Sequence, residues 1–310
     1  MTNLIDRPIP APAEVRHEST AVNQRTRTLI ASIPWRWLAV LGIGLALFAA
    51  VAVGVITTDD PILVPSLLLV GAAVVPATLT TLVTEAEASS ELTLGRVLTA
   101  AVLGGVAGGV LAGVLEFATE GALGSLPYLT IGLIEESAKL AIPVALFAWG
   151  RSRGRAVDGL VLGVAAGSGF AALETAGYGF VALLQVHGQL APVEGLLLTR
   201  ALSSLGGHAA WTGLAAAAWF GIRGARKRWF GWVRFLATFA IVASLHALWD
   251  ANVASGFYQW IGAFSFILLV GTALWLHRTE RRREQHRHGD ARRVEPTAND
   301  VARLGVSSER

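Results

Sequence analysis

The chain has 310 residues, a length that would suit two soluble domains, but 53% of them are hydrophobic, only 15% are charged and 34 are glycine, which excludes that class and indicates a polytopic membrane protein. It has no cysteine, so thiol nucleophiles, disulfides and thiolate metal sites are excluded and any chemistry must use oxygen and nitrogen. The formal charge of +3 is small and hides a strong asymmetry along the chain.

Residues 1–34 contain Pro8, Pro10, Pro12 and Pro34 among scattered charges and read as a disordered tail, without the basic-then-apolar plan of a signal peptide. A spanning helix takes roughly 20 apolar residues. Eight spans are expected, near 35–56, 61–83, 94–116, 126–149, 157–184, 195–220, 232–253 and 257–277. Thr57-Thr58-Asp59-Asp60-Pro61 forms a tight connection between the first two. In the third span Gly104 and Gly108, and Gly105, Gly109 and Gly113, recur at intervals of four, a spacing that serves close helix packing. Asp158, beside Gly159 at the start of the fifth span, reads as an N-cap. Residues 278–310 form a basic tail whose Arg run meets anionic headgroups and whose His286 and His288 read as solvated. The organisation is therefore a tail (1–34), a membrane domain (35–277) and a second tail (278–310), all-α, with no sign of nucleic-acid binding.

Orientation follows from Lys and Arg, which cytoplasmic segments retain. With both termini inside, the inner segments hold 23 of the 25 basic residues and the outer loops none; the other two, Lys139 and Arg200, lie within spans. A multi-pass protein with both termini cytoplasmic is expected.

Charges within spans cost about 2.5–3.5 kcal/mol each at the helix centre and usually mark a functional interior. They concentrate in four spans: Glu135, Glu136 and Lys139 in the fourth, Glu174 in the fifth, Arg200 and His208 in the sixth, His246 and Asp250 in the seventh. Helical spacing puts both glutamates within reach of Lys139, aligns Phe170, Glu174 and Tyr178, aligns Arg200, Ser204 and His208, and aligns His246 with Asp250. A polar four-helix core is expected to converge in the outer half of the bilayer, around a water-filled cavity that opens outward. Lys139 is one of only two lysines against 23 arginines; it compensates the adjacent carboxylates or takes part in proton transfer.

No His-Glu-x-x-His motif is present in the spans, and Asp250 is alone where an aspartyl dyad would need two. A serine nucleophile at Ser168 or Ser204 would leave the carboxylates unexplained. The remaining inventory suits activation of water. A glutamate can take the proton of the attacking water; two histidines and a glutamate, as His208, His246 and Glu174, can hold Zn²⁺ with an open fourth position; or His and Asp can polarise the carbonyl without a metal. Spacing leaves these three open. The same residues would also suit a proton-coupled transporter or channel, or a scaffold whose polar groups only pair with one another.

The motifs resemble a family. Glu135-Glu136-Ser137-Ala138-Lys139 resembles the Glu-Glu-x-x-Lys signature of the PrsW intramembrane proteases, Phe170-Ala171-Ala172-Leu173-Glu174 their Phe-x-x-x-Glu, and His246-Ala247-Leu248-Trp249-Asp250 their His-x-x-x-Asp. Arg200, His208 and Asp158-Gly159 also follow the family's pattern, and Thr175 departs from it where Asn is expected. The resemblance implies cleavage of a peptide bond in or near the membrane, with a membrane-anchored anti-sigma factor as the typical substrate, in a bacterial plasma membrane. It also implies kinship with the type II CAAX prenyl endopeptidases and bacteriocin-processing proteins. It makes Glu135 and Glu136 the catalytic carboxylates, with Glu174, His208, His246 and Asp250 around them, Lys139, Arg200 and Phe170 in support, and a divalent metal as a possible cofactor.

Overall fold

The computed structural model describes residues 35–87, 90–149, 154–186 and 190–294, with side chains as far as residue 282. The expected N-terminal tail, the end of the basic tail and the side chains of His286 and His288 lie outside these. Among the described residues all regular structure is helical: α1 (Arg36–Thr58), α2 (Val64–Ala86, led by a 3₁₀ turn at Pro61–Leu63), α3 (Leu94–Leu123, with a π-helical segment at Gly104–Gly108), α4 (Tyr128–Trp149), α5 (Ala156–Gln185), α6 (Leu190–Ser203), α7 (His208–Phe220), α8 (Arg228–Ala251) and α9 (Tyr258–Val294).

Six of these helices (α1, α2 with its leading turn, α3, α5, α8 and α9) are long and apolar enough to cross a membrane. Helix α4 has 22 residues but carries Glu135, Glu136 and Lys139 in its middle. The span expected at 195–220 is not one helix: it divides into α6, with 14 residues, and α7, with 13, separated by a 3₁₀ turn at Ser204–Gly206. The reason is local. Ser204 turns its hydroxyl back onto the Ala201 carbonyl at 2.7 Å, and Gly206 and Gly207 have the least tendency to continue a helix. The chain at the break is seated on α9, where any Cβ on Gly206 would collide with the Gly262 carbonyl. Helix α9 runs on to Val294, well past the expected end of the last span.

Helix α5 is the axis of the bundle, buried along most of its first half, while α1 is peripheral and buries only Val55. Lipid offers helices no hydrophobic reward for associating, so close backbone approach has to supply the packing. Gly159, Gly163 and Gly167 of α5 do this at intervals of one turn: a Cβ there would strike the carbonyls of Ala216, Thr212 and His208, so α7 lies directly on the α5 backbone. Gly132 does the same between α4 and α8, where a Cβ would sit 2.7 Å from the Ala243 carbonyl and 3.4 Å from the His246 Cβ. In α3 the glycines divide between two tasks: Gly104 and Gly105 approach Ala166 and Gly169 of α5, whereas Gly109 and Gly113 meet nothing within 4 Å.

At the end of the bundle where α2 stops and α5 starts, a polar network ties the helices together. Asp158 is not the N-cap of α5 but its third residue: it accepts a hydrogen bond from the Arg155 backbone at 3.2 Å and one from Ser90 Oγ at 3.0 Å, with Arg155 as the cap. Glu87 is almost fully buried just past α2, with His277 Nδ1 4.0 Å away and Oε2 without a hydrogen bond among the described residues. Burial, together with the charge of Glu280, raises its carboxyl from the ordinary 4.5 to about 7. The folded chain therefore keeps a proton that the unfolded chain releases, so this contribution to stability is full below about 4.5 and is lost as pH rises through about 7. Glu87→Gln should leave the thermal midpoint unchanged at about pH 4 and raise it by a few degrees at about pH 8.5, measured by unfolding of the purified protein at both values.

Candidate active site

The centre of the site is one turn of α4. Lys139, fully buried, turns its ammonium back along the helix to Glu136 Oε1 at 2.7 Å and Glu135 Oε2 at 3.1 Å. Its third contact is His208 Nδ1, at 2.7 Å across from α7. The three N–H donors of an ammonium thus have three acceptors, and the Phe170 ring lies beneath it with its centroid 4.2 Å from Nζ.

Both histidines are oriented by carboxylates. Because Lys139 has only donors, His208 Nδ1 accepts and the ring proton sits on Nε2, which bonds Glu174 Oε2 at 2.8 Å. Glu174 is held from its other side by Arg200 Nη2 at 2.8 Å, and Arg200 also donates through Nε to Thr175 Oγ1 at 3.3 Å and stacks over Tyr178. Thr175 therefore supplies an acceptor to that arginine. His246 bonds Glu136 Oε1 through Nδ1 at 3.1 Å, which leaves Nε2 facing Glu135 Oε2 at 3.6 Å and Asp250 Oδ2 at 3.5 Å. Trp211, wholly buried and anchored through Nε1 to Ser265 Oγ at 2.9 Å, stacks on the His246 ring at 4.7 Å and fixes its plane. Thr212 Oγ1 donates to Glu136 Oε2 at 3.2 Å.

All nine residues singled out in the sequence fall in this one network. The serine alternatives do not: Ser204 Oγ is taken by Ala201, and Ser168 Oγ has no hydrogen-bond partner among the described residues. Glu135 also reaches a cleft of about 500 Å³ between α3, α4 and α5, walled by Gly109, Gly113, Phe170, Glu174 and Tyr178. Glu116 of α3 lines the same cleft, with Oε1 buried and without a hydrogen-bond partner among the described residues. Sequence reasoning passed over it because the third span was expected to end at 116; α3 continues to Leu123, so Glu116 sits about two turns inside the helix end.

Glu135, His208 and His246 each offer one ligand atom, all within 4.8 Å of one another. Residues 33–276 match the description of the PrsW family intramembrane metalloproteases. The chain belongs to this family. Comparison with curated proteins and with solved structures returns no match. Membership makes the chain a peptidase of the membrane, and the six apolar helices make it multi-pass.

The residues present fit the metal that a PrsW metalloprotease implies once the Lys139 ammonium, which bonds Glu135 Oε2 at 3.1 Å and His208 Nδ1 at 2.7 Å, gives up those two atoms. Tetrahedral Zn²⁺ with ligands at about 2.1 Å sets them about 3.4 Å apart; Glu135 Oε2 lies 3.6 Å from His246 Nε2 and 3.9 Å from His208 Nδ1. Each histidine has its far nitrogen on a carboxylate, the arrangement that orients metal-binding imidazoles. Four carboxylates of the network face only two permanent cations, Lys139 and Arg200, an excess of negative charge that suits a divalent ion. Glu174, expected as the third ligand, bonds His208 Nε2 at 2.8 Å, and Glu135 is the carboxylate whose ligand atom lies with those of the two histidines.

Lys139 is the structural keystone of these contacts. Removing one partner of a buried ion pair costs about 3–5 kcal/mol because the other is left uncompensated. Lys139→Met should therefore lower the thermal midpoint of the purified protein sharply, whereas Asp250→Asn, at a half-buried partner on the rim, should change it little.

Proposed function

We propose that this PrsW-family peptidase cuts a membrane-anchored protein in or beside its membrane segment, with Glu135 as the group that takes the proton of the attacking water. The observation that carries this reading is that Glu135 alone of the α4 pair belongs to both the ligand cluster and the cleft. Glu136 is committed to Lys139, His246 and Thr212, and acts as a positioning residue. Peptide hydrolysis in this scheme needs water on one side of the scissile carbonyl and a proton for the departing nitrogen. Glu135 accepts the water proton as the oxygen bonds to the carbonyl carbon, then returns it to the nitrogen as the C–N bond breaks. Glu135 Oε2, His208 and His246 would hold a divalent ion in place of the Lys139 contacts, and it would supply Lewis-acid polarisation of the water and the carbonyl while Glu135 Oε1 remains free to take the proton. Glu174 and Arg200 keep the His208 ring in register, and Trp211 and Glu136 do so for His246.

The glycines of α3 support access for an extended substrate backbone, since Gly109 and Gly113 leave open space between the Val106, Val110 and Glu116 side chains on that wall. Backbone at this depth has to be unwound before water can reach it, and a cleft of this kind shelters such a segment. The distribution of Lys and Arg supports both termini in the cytoplasm and a cleft opening outward, near the outer boundary of the substrate's helix, in the bacterial membrane that the resemblance implies. An anti-sigma factor, the substrate class implied by the resemblance, presents such a helix.

The test uses the purified protein and a single-span substrate in vesicles. Glu135→Gln should abolish cleavage while lowering the thermal midpoint less than Lys139→Met does, and Glu136→Gln should lower both. Zinc content should fall with His208→Ala, His246→Ala or Glu135→Gln, and Glu174→Gln should weaken zinc binding by about 10- to 100-fold. Full cleavage by the Glu135→Gln protein would overturn the assignment. A single cysteine introduced at Val253 in this cysteine-free chain should react with an impermeant thiol reagent from outside; reaction only from inside would reverse the orientation and the side of cleavage.

A further inference from the structure

A second cavity, of about 450 Å³, lies at the opposite end of the bundle from the turn that joins α8 to α9. It is bounded by the start of α5, the end of α7, the start of α8 and the far part of α9, and shares no lining residue with the catalytic cleft. Its mouth carries three guanidinium groups. Arg155 is 3.8 Å from Glu280 and 3.6 Å from Asp158. Arg223 lies over the Phe147 ring with its guanidinium carbon 4.7 Å from the centroid. Arg234 is at the mouth because residue 221 is glycine, where a Cβ would stand 2.5 Å from Arg234 Nη2. Among the described residues no carboxylate lies within ion-pair distance of Arg223 or Arg234, and Glu280 is the only carboxylate in the lining. The positive charge at this mouth is therefore in excess.

Further in, the walls change character. Leu214 and Ala217 of α7 face Trp275 and Leu276 of α9 across the cavity, and Leu214 lies six residues before the end of α7, about 9 Å deeper. A charged mouth at the level where three helices end and α9 runs past, leading to an apolar interior, matches an amphiphile that carries a phosphate and an acyl chain. Guanidinium forks bind phosphate oxygens in pairs, and basic pockets between spanning helices hold anionic headgroups. A zwitterionic headgroup would bring its own cation against the same arginines.

We infer that this cavity is a binding site for one anionic phospholipid, its phosphate between Arg155, Arg223 and Arg234 and a chain against Leu214 and Trp275. The site is independent of the catalytic reading, and its occupation would join α5, α7, α8 and α9 at the end where α8 and α9 have no loop between them.

The experiment uses the full chain purified in detergent, with phosphatidylglycerol, phosphatidylcholine or inorganic phosphate as probe, and native mass spectrometry and thermal unfolding as readouts. Phosphatidylglycerol should bind saturably at one copy per chain and raise the thermal midpoint, and phosphatidylcholine should do neither. Arg223→Gln with Arg234→Gln should weaken that binding by at least about tenfold. Glu280→Gln should strengthen it, a direction that damage to the fold would not produce. Equal binding of phosphatidylcholine, or unchanged binding by the double variant, would overturn the inference. Saturation by inorganic phosphate alone, with no added effect of lipid, would overturn the lipid in favour of a soluble anion.

Discussion

The ammonium of Lys139 is the constraint around which the site is arranged. A lysine charge at this depth is tolerated only when each of its donors has an acceptor and neighbouring negative charge offsets the lost hydration. Glu135, Glu136 and His208 provide this from two helices, and the demand for a third acceptor draws α7 against α4. Once His208 accepts through Nδ1, its other nitrogen must donate, which recruits Glu174, and a second buried carboxylate in turn recruits Arg200. Glu136 reaches the other way to His246. One buried cation thus fixes the ring tautomers and the facing of four helices, and the alignment of Glu135 with both imidazoles follows.

Geometry of this kind needs helix axes held within fractions of an ångström, and lipid provides little drive for that. The glycine contacts supply it by setting backbone on backbone. Gly167 fixes the height of His208 through the His208 carbonyl, Gly163 does so for Thr212, and Gly132 sets α4 against the turn of α8 that bears His246. Glu135, Glu136, His208, Thr212 and His246 are consequently within about one turn of a backbone contact, with little freedom to drift.

Much of this site was legible in the sequence because ionisable residues in apolar spans are rare and their spacing of three and four marks a face. Lys139 between its two glutamates, the Glu174 stripe and the His246–Asp250 pair each declared a direction, and the network joins them. Three features were not legible. The break at Ser204–Gly206 lies in a stretch apolar enough to read as one span, and it depends on contact with Gly262, which local pattern does not reveal. The ridge of Gly159, Gly163 and Gly167 is less conspicuous in the sequence than the denser glycines of α3, although it makes three backbone contacts where α3 makes two. The exchange of Glu174 for Glu135 beside the histidines reflects which nitrogen of His208 faces which helix, a choice made by the Lys139 donors and invisible to spacing.

The division of the sixth span has an electrostatic consequence. An unbroken helix would carry its aligned peptide dipoles to the membrane surface, where headgroups and water would screen them. Because α7 starts afresh at His208, the positive end of its dipole, equivalent to about half an elementary charge, is delivered inside the protein among the carboxylates, while the negative end of α6 at Ser203 is met by Arg200 in its own last turn. The chain thereby places fixed positive potential beside Glu135 and Glu174 from its own backbone, without another charged side chain that would have to be carried into the bilayer.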